Sequence, residues 1–582
     1  MRKTKIICTL GPSTDAPEVL KEMILSGMNV ARFNFSHGTH EDHKKRLDML
    51  KVFREELGMP VAALLDTKGP EIRLKQFEKG QVTLETGQTF TLTTRNVVGT
   101  QEICAITYNH LPHDLSVGSK VMLDDGLISM IVTELTDTDI VCSVENGGVV
   151  KDRKGVNVPG AHLSMPYVSQ ADREDILFGI SQGFDMIAAS FCRNAQDLLE
   201  IRSILDANNS NMRIVAKIEN QEGVDNIDEI LAVADGVMVA RGDMGVEIVF
   251  TEIPVIQKTI ITRALTRGKA VITATQMLDS MIQNPRPTRA EITDVANAVY
   301  DGTSALMLSG ETAAGKYPVA SLRTMAAIAS RTEEDINYFG RMQKLTADAR
   351  LSISGATAHA ACTTATDVKA SAILSVTKSG ATPRLLSKYR PETPIIACAM
   401  DQDIRRQLAL TWGVMPILMP YAENTDQMIA SAVTAARNAG LLHDGEIVVV
   451  TAGVPAGISG TTNMIKVHRV GSSLISGVGL GSENAKGILC VCRTVRDMKE
   501  KFKPGMILVA PHTNNDMLPF IRESAAIICE ENGLSSHAAV VGLTLGKAVI
   551  IGATGATRML QDGMYVSVDC KHGVVQSLAE SE

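Results

Sequence analysis

Two stretches organise this chain: Arg213-Ile-Val-Ala-Lys-Ile-Glu-Asn220 and Gly236-Val-Met-Val-Ala-Arg-Gly-Asp243. Each is an apolar, β-type run that ends abruptly in charged residues. Because residues two apart on a strand point to the same face, Lys217 and Glu219 are predicted to project together, with Asp243 at the end of the next strand. Two carboxylates can hold Mg²⁺ together with substrate oxygens, and a lysine beside them can neutralise charge on a substrate oxygen. The pattern predicts a metal-assisted catalytic site, with a buried structural ion pair as the alternative.

Eight short apolar runs of this kind lie between Thr4 and Glu311, and nearly all are followed by a helical pattern. Alternating strands and helices indicate a parallel sheet, and eight such units predict an α/β fold of the closed (β/α)₈, or TIM, barrel type over residues 1–70 and 161–340. Several runs end in polar residues, at the strand ends where such a barrel keeps its active site. The runs lie near residues 4–10, 29–36, 61–67, 186–191, 213–219, 236–243, 270–276 and 304–311.

Three further segments accompany the barrel. Residues 71–160 alternate Val, Thr, Leu and Ile between turn signals, which predicts an inserted all-β domain. An insertion at the active-site end can close over a substrate as a lid, and a simple spacer is the alternative. Residues 345–472 predict an open, doubly wound α/β domain that binds an effector, and residues 473–582 a β-rich C-terminal domain.

Composition and charge narrow the class of protein. The net charge of −8, with basic residues scattered along the chain, argues against a nucleic-acid partner. The ten cysteines are dispersed and fit neither a disulfide framework nor a zinc spacing. Gly11-Pro12 interrupts the N-terminus before any signal-peptide apolar region can develop, and no apolar run approaches membrane-spanning length. We therefore expect a cytoplasmic protein with no membrane partner.

Polar residues at two strand ends suggest ion and phosphate recognition. Arg32, Asn34 and Ser36 alternate along one strand and therefore point to one side. Arg32 and Arg73 carry planar guanidinium groups, which suit phosphate. Oxygen ligands with one negative charge, which suit a weakly held monovalent cation better than a transition metal, come from Asn34, Ser36, Asp66 and Thr67.

A standard ATP-binding fold is missing from the sequence. The nearest approach to a P-loop is residues 310–316, but Tyr317 stands where a hydroxyl should hold Mg²⁺, and we interpret this stretch as a strand end and loop. A different loop, Thr377-Lys378-Ser379-Gly380-Ala381-Thr382, follows a predicted strand and opens a helix. Backbone amides, hydroxyls and a lysine there predict a cradle for a phosphorylated effector, although such loops also occur empty.

Five strings along the barrel resemble the pyruvate kinase family. They are Met28-Asn-Val-Ala-Arg-Phe-Asn-Phe-Ser-His-Gly38, Leu65-Asp-Thr-Lys-Gly-Pro-Glu-Ile-Arg73, Ala216-Lys-Ile-Glu-Asn220, Ala240-Arg-Gly-Asp243 and Met307-Leu-Ser-Gly-Glu-Thr312. The resemblance covers residues 1 to about 471, and the tail resembles the mobile, swivelling phosphohistidine domain of phosphoenolpyruvate-utilising enzymes. It implies the last step of glycolysis, in which phosphoenolpyruvate phosphorylates ADP to give pyruvate and ATP. It also implies a homotetramer.

The resemblance further implies roles for single residues. Lys217 would stabilise the transferring phosphoryl group and the enolate oxygen, and Arg32 and Thr275 would contact the substrate, Thr275 near the face where the enolate is protonated. Glu219 and Asp243 would hold Mg²⁺ (or Mn²⁺), with Gly242 and Asp243 against phosphoenolpyruvate. K⁺ would bind Asn34, Ser36, Asp66 and Thr67, and nucleotide phosphates would meet Asn34, Phe35, Ser36, His37, Arg73 and Lys154. Family members that need K⁺ resemble this chain in having glutamate where Glu71 stands.

Two other functions stay open at the level of sequence. One is a Mg²⁺-dependent enolate lyase on the same barrel, which would not need the lid-side arginines or the oxygen cluster that begins at Asn34. The other is a phosphate-sensing regulatory protein built on an inactive barrel.

The tail carries the string Ser535-Ser-His537-Ala-Ala539. In related phosphotransferases a histidine in a Thr-Ser-His-Ala-Ala setting accepts a phosphoryl group. Here Gly542-Leu-Thr-Leu545 replaces the usual Ala-Arg-Glu-Leu, so an arginine that would neutralise phosphate is absent. We expect that His537 is not a phosphoryl carrier.

Overall fold

The computed structural model describes residues 2–346, 352–421, 425–453, 462–471, 473–481, 484–571 and 573–577. The chain divides into two compact units, residues 1–436 with 449–466, and residues 437–448 with 467–582. The first unit holds the barrel, the inserted β domain and most of the α/β segment. The domain boundaries given above stay a prediction.

The (β/α)₈ barrel is confirmed, because eight parallel strands close on one another. Nearly every residue of these strands is buried, which explains why they appear in the sequence as continuous apolar runs. The third strand pairs with the fourth across the whole insertion, with Leu64 opposite Met186. In chain order the strands are Lys5–Thr9, Val30–Asn34, Ala62–Asp66, Met186–Ala189, Arg213–Ile218, Gly236–Ala240, Ala270–Ala274 and Ala305–Leu308.

Helices surround the barrel, and several begin at signals present in the sequence. Thr39, Ser169 and Thr288 each form a capping box with an acidic residue three positions later. The helices are Pro17–Leu25, His40–Glu56, Gln170–Gln182, Ala195–Ala207, Gln221–Asp225, Ile227–Val233, Arg241–Glu247, Ile253–Thr266, Arg289–Asp301, Gly310–Ala313, Pro318–Glu333 and Tyr338–Thr346. The P-loop-like string therefore forms a short helix and the loop after it.

The insertion forms an all-β domain with its own apolar core. Its seven-stranded sheet contains Ile72–Arg73, Gly155–Asn157, Lys120–Leu123, Ile128–Leu135, Asp139–Asn146, Thr89–Thr93 and Ile103–Ala105 in spatial order, and Gly148–Lys151 pairs separately with Gln81–Leu84. One short helix, Leu111–Asp114, lies between the strands. Side chains alternate between buried and exposed along Ile128–Leu135 and Asp139–Asn146, as a sheet with one covered face requires.

The α/β segment contains a five-stranded sheet in the order Val414–Leu418, Ile395–Ala399, Ala372–Thr377, Ile447–Gly453 and Thr462–Arg469. Its helices are Ile353–Asp367, Ala381–Lys388, Gln402–Gln407 and Thr425–Asn438. The sequence pattern predicts three strands here, Ala372–Val376, Pro394–Ala399 and Glu446–Thr451, and these are the three central strands of the sheet. Val414–Leu418 was missed because it contains Pro416, and proline is tolerated in a strand at the sheet edge, where this strand lies.

The tail contains an eight-stranded mixed sheet in the order Ser473–Ser476, Val574–Ser577, Tyr565–Asp569, Ala485–Val491, Ile507–Ala510, Ala526–Cys529, Ala548–Ile551 and Val478–Leu480. Four helices accompany it: Val495–Lys501, Leu518–Glu523, His537–Thr544 and Ala556–Met559. Across the described residues, every helix is too short or too polar to cross a membrane.

Candidate active site

Charged side chains from neighbouring barrel strands meet at the C-terminal ends of those strands. Arg32 Nε donates to Asp66 Oδ2 at 2.5 Å, and Lys217 Nζ lies 3.1 Å from both Asp66 Oδ1 and Glu219 Oε1. All four side chains are buried. Cations and carboxylates therefore alternate in one ionic cluster, and the pairing of Lys217 with Glu219 follows the two-residue period of the strand.

The electrostatics of this cluster keep Lys217 charged. Burial opposes the charge, but the carboxylates of Asp66 and Glu219 outweigh it, so the pKa of the Lys217 ammonium lies above its ordinary value. Burial likewise acts to raise the pKa of Asp66, but Arg32 and Lys217 together hold it below its usual value. A fixed cation and its carboxylate partners are thus present before any substrate arrives.

Ser190 belongs to this cluster, and the sequence analysis did not select it. Lys217 Nζ donates to Ser190 Oγ at 2.7 Å. The Ser190 hydroxyl lies 2.6 Å from Thr67 O and 3.1 Å from Asp66 Oδ1. Its signal was its place directly after the fourth barrel strand, but a single serine is common at strand ends and carries no charge.

The carboxylate of Glu219 has one oxygen that is available to bind a divalent cation. Its Oε2 accepts from Phe191 N at 2.6 Å, while its buried Oε1 accepts no hydrogen bond from the described residues. Burial raises the pKa of Glu219 to about 7 against the opposing charge of Lys217, and the negative charge of Asp243 adds to the rise. This oxygen is ion-paired with Lys217 at 3.1 Å, and a bound divalent ion would give it a ligand role and reduce the repulsion between the two carboxylates.

Asp243 is not on a strand, as the run 236–243 suggested. The strand ends at Ala240, and Asp243 lies in the first turn of Arg241–Glu247. The preceding Arg241 donates to Asp294 and to Thr275 O, each at 2.8 Å, which fixes the turn from strand to helix. The final residues of an apolar run therefore do not show whether the chain continues as a strand.

Thr275 and Gly242 are in direct contact. Gly242 N donates to Thr275 Oγ1 at 2.7 Å, and this hydroxyl donates to Ala274 O at 2.6 Å. Thr275 and Gln276 have φ angles of 68° and 54°, so the seventh strand ends at Ala274, two residues before the predicted end. Left-handed backbone at two successive non-glycine residues is costly, and it turns the Thr275 side chain out of the strand direction.

The predicted potassium ligands come from two paired strands. The register places Asn34 opposite Asp66, and Thr67 follows Asp66 directly. Asn34 Oδ1 accepts from Ser36 N at 3.1 Å, which draws Ser36 towards the same strand end. All four proposed ligands would bind the ion through oxygen atoms, and only Asp66 is ionised. Such a set of ligands fits a monovalent cation.

The predicted nucleotide contacts are divided between the barrel and the lid. Arg73 pairs with Glu71 and Lys154 with Asp124, each at 2.7 Å, and among the described residues neither cation bonds to the cluster around Lys217. His37 is exposed on the barrel side. The Phe35 ring is buried and stacks on His43 with 4.2 Å between ring centroids, so its side chain is not exposed to a nucleotide.

A cavity of about 320 Å³ lies where the lid meets the barrel. Asp243 and Glu71 line it, together with Asn157 and Glu247, which join lid to barrel through a 2.7 Å hydrogen bond from Asn157 Nδ2 to Glu247 Oε1. This volume is at the lower end of the range for small-molecule sites. Of the predicted substrate and metal residues, Asp243 lines this cavity, whereas Arg32, Lys217, Glu219 and Thr275 do not.

The predicted effector loop adopts the turn that its sequence suggested. Gly380, at φ 79°, precedes the helix Ala381–Lys388, and Gly380 N donates to Thr377 Oγ1 at 2.9 Å. Lys378 is exposed, and Thr382 Oγ1 lies 2.6 Å from Thr462 Oγ1. Ser379 O accepts hydrogen bonds from Arg213 at 3.2 Å and Arg384 at 3.0 Å. The loop is thus tied to the strand that carries Lys217.

His537 begins the helix His537–Thr544 in the second unit. Thr513 Oγ1 lies 2.9 Å from its Nδ1, and Asn515 Oδ1 lies 3.2 Å from its Nε2. Both ring nitrogens therefore have a polar neighbour. The expectation that His537 is not a phosphoryl carrier stays a prediction.

Comparisons with known proteins give the same family along the whole chain. Residues 1–322 match the family model "Pyruvate kinase, barrel domain", residues 355–468 match "Pyruvate kinase, alpha/beta domain", and residues 502–573 match "PEP-utilising enzyme, mobile domain". A pyruvate kinase from Geobacillus stearothermophilus is 49% identical over 99% of this chain and 98% of its own length. One from Bacillus licheniformis is 46% identical, with 99% of each chain covered. A crystal structure of a pyruvate kinase from Cryptosporidium parvum superposes with a TM-score of 0.77 at 39% identity, covering 81% of this chain and 96% of the other.

Proposed function

This chain belongs to the pyruvate kinase family, and we propose that the ionic cluster around Lys217 carries the family's reaction. The enzyme transfers the phosphoryl group of phosphoenolpyruvate to ADP, giving pyruvate and ATP. The family implies a divalent metal ion and potassium. The assignment of Mg²⁺ to Glu219 and Asp243, and of K⁺ to Asn34, Ser36, Asp66 and Thr67, is our proposal.

The side chains of this cluster act by position and charge. Arg32 and Lys217 bind the phosphoryl oxygens, and Lys217 also faces the oxygen on which enolate charge develops. Phosphoryl transfer needs alignment and charge neutralisation more than covalent chemistry, so two fixed cations at one strand end suit it. Ser190 holds the Lys217 ammonium in place and is a positioning residue. The divalent ion, when bound, supplies further positive charge to the phosphoryl and enolate oxygens.

We assign Thr275 to the side of the site from which the enolate is protonated. Its hydroxyl accepts from Gly242 N and donates to Ala274 O, so it is ordered before substrate binds. We assign it to the face of the enolate that receives a proton, where a water held by this hydroxyl can deliver one. The lid cations Arg73 and Lys154 bind the nucleotide phosphates with the backbone of residues 34–37, which supports the role of the insertion as a lid.

The observation that carries this assignment is the contact of Lys217 with Asp66, Glu219 and Ser190. The direct test is a coupled assay that measures pyruvate formed from phosphoenolpyruvate with and without ADP. We expect formation only with ADP. Pyruvate released at the same rate without ADP would show that water accepts the phosphoryl group, as in a phosphatase. No pyruvate under either condition would favour a lyase with another substrate or an inactive regulatory barrel.

We also propose that Thr377, Lys378, Ser379, Gly380 and Thr382 bind a phosphorylated effector. The exposed ammonium of Lys378 and the hydroxyls at the start of a helix provide the chemistry. The hydrogen bond from Arg213 to Ser379 O provides a physical link to the catalytic strand.

Addition of AMP or ribose 5-phosphate is therefore expected to lower the half-saturating concentration of phosphoenolpyruvate by about 5–150-fold, the usual range of allosteric coupling. Lys378→Gln should abolish this shift and leave the activity without effector unchanged. Lys369→Gln, at an exposed lysine that follows the helix Ile353–Asp367 and lies outside the loop, is the matched control and should keep the shift. Saturation curves that neither compound changes in the wild-type enzyme would contradict the proposal.

A homotetramer remains part of the proposal. The loop before Ile253–Thr266 exposes Val249 and Phe250, with 66% and 75% of their surface accessible, and Val255 in the first turn of the helix is 60% accessible. Three neighbouring apolar side chains at the surface favour a subunit interface there.

A further inference from the structure

A second cavity lies at the other end of the barrel, where the strands begin. Its volume is about 40 Å³, far below the range of sites that bind sugars or nucleotides. One wall contains Arg213 and Ala270, at the starts of two barrel strands, and the other contains Arg384 and Lys388 of the helix Ala381–Lys388. None of the roles assigned above uses this cavity.

The lining of this cavity has a large excess of positive charge. Its one carboxylate, Asp235, accepts from Arg213 at 2.9 Å and from Arg202 at 2.8 Å. Within the described parts of the chain, no carboxylate forms an ion pair with Lys269, Arg384 or Lys388. The cationic side chains in the lining are Arg213, Lys269, Arg384, Lys388 and Arg390.

Arg384 has a buried guanidinium group, and one of its nitrogens has no hydrogen-bond acceptor among the described residues. Its Nη1 donates to Ser379 O at 3.0 Å, while its Nη2 is shielded from solvent and finds no acceptor among the described residues. Burial and, to a smaller extent, the nearby charge of Arg213 lower the pKa of Arg384 to about 9. Burial also lowers the pKa of Lys269, on the same wall as Arg213. Charges buried without a partner destabilise the folded chain.

We propose that this cavity is a binding site for inorganic phosphate. A phosphate dianion is a compact group of acceptors that would give Arg384 Nη2 its missing partner and offset the charges of Arg213 and Lys269. The volume admits a small oxyanion and excludes a sugar or a nucleoside. This phosphate site is distinct from the effector loop. The two are connected through the Ser379 carbonyl of the loop, which accepts hydrogen bonds from Arg213 and Arg384 of the cavity.

The test is phosphate binding to the full-length enzyme, measured by isothermal titration calorimetry in chloride buffer at constant ionic strength. Arg384→Gln keeps a donor for Ser379 O but removes the charge, and Lys269→Gln removes the charge on the opposite wall. We expect each to weaken phosphate binding at least tenfold. Arg384→Lys should restore part of it, because it returns the charge. Lys378→Gln, in the effector loop, is the matched control and should bind phosphate like the wild type.

A second readout separates a ligand site from a structural role of Arg384. Without phosphate, Arg384→Gln should raise the Tm, because it removes a buried charge that has no partner, and added phosphate should raise the Tm of the wild type only. An arginine that serves only to hold the loop would lower the Tm when replaced.

Three results would overturn the proposal. The first is wild-type phosphate affinity in both Arg384→Gln and Lys269→Gln. The second is loss of phosphate binding in Lys378→Gln alone, which would assign the phosphate to the effector loop. The third is that ribose 5-phosphate, rather than inorganic phosphate, loses affinity in Arg384→Gln, which would make the occupant the phosphoryl group of a larger ligand.

Discussion

Replacement of Lys217 by methionine is expected to lower kcat by at least about 10²–10³-fold, the usual cost of one lost electrostatic donor at developing charge. The ammonium lies 3.1 Å from the carboxylates of Asp66 and Glu219 and 2.7 Å from Ser190 Oγ, so it is fixed before the reaction begins. Methionine keeps the length of the side chain but removes the charge. Because Lys217 acts mainly on charge that develops during transfer, the KM for phosphoenolpyruvate and the half-saturating Mg²⁺ concentration should change little.

The measurement is steady-state kinetics of Lys217→Met at saturating Mg²⁺ and K⁺, with the Tm recorded for the same preparation. Lys5→Met is a matched control, because Lys5 is a similarly buried barrel lysine at the opposite end of the strands, and its ammonium donates to Val414 O at 2.6 Å. It should keep wild-type kcat whatever its effect on the Tm. A Lys217→Met enzyme that folds and keeps more than about a tenth of the activity would contradict the assignment.

The barrel could be predicted from the sequence because its strands are buried on both sides. Burial on both faces requires continuous apolar runs such as Gly236–Ala240, and eight such runs alternating with helices leave few architectures open. The contact of Lys217 with Glu219 was also predictable, because the period of two residues on a strand is local geometry. Both features follow from the local geometry of a strand, so they can be predicted without knowledge of tertiary contacts.

The features that could not be predicted depend on tertiary contacts. Ser190 is one serine after a strand, and only the barrel register brings its hydroxyl to Lys217 Nζ. Asp243 appeared to end a strand, but the strand ends three residues earlier, at Ala240, where hydrogen bonds from Arg241 to Asp294 and Thr275 O stabilise the turn into a helix. The cavity beside Arg384 combines residues about 170 positions apart in the sequence, and no local pattern connects them.

Removal of K⁺ should give the second large effect. Asp66 is the one ionised ligand of the proposed potassium site, and it already faces Arg32 and Lys217. A monovalent cation bound there therefore adjusts the charge next to the phosphoryl position. The lid does not supply a positive charge that could replace the potassium ion, because Glu71 pairs with Arg73 at 2.7 Å and offsets its charge. In tetramethylammonium buffer free of sodium and potassium, with saturating Mg²⁺, activity should fall at least about tenfold, equivalent to about 1.4 kcal/mol in the barrier.

The variant that tests this charge argument is Glu71→Lys, which places an ammonium next to Arg73 in the lid. It should keep a larger share of its activity without K⁺ than the wild type does, because the added charge partly replaces the ion. Glu71→Gln is the matched control: it removes the carboxylate without adding a cation, and it should stay dependent on K⁺. Equal rescue by both variants would show that loss of the Glu71–Arg73 pair, rather than a new positive charge, is responsible. Full wild-type activity in tetramethylammonium buffer would remove the basis for a potassium site at Asn34, Ser36, Asp66 and Thr67 altogether.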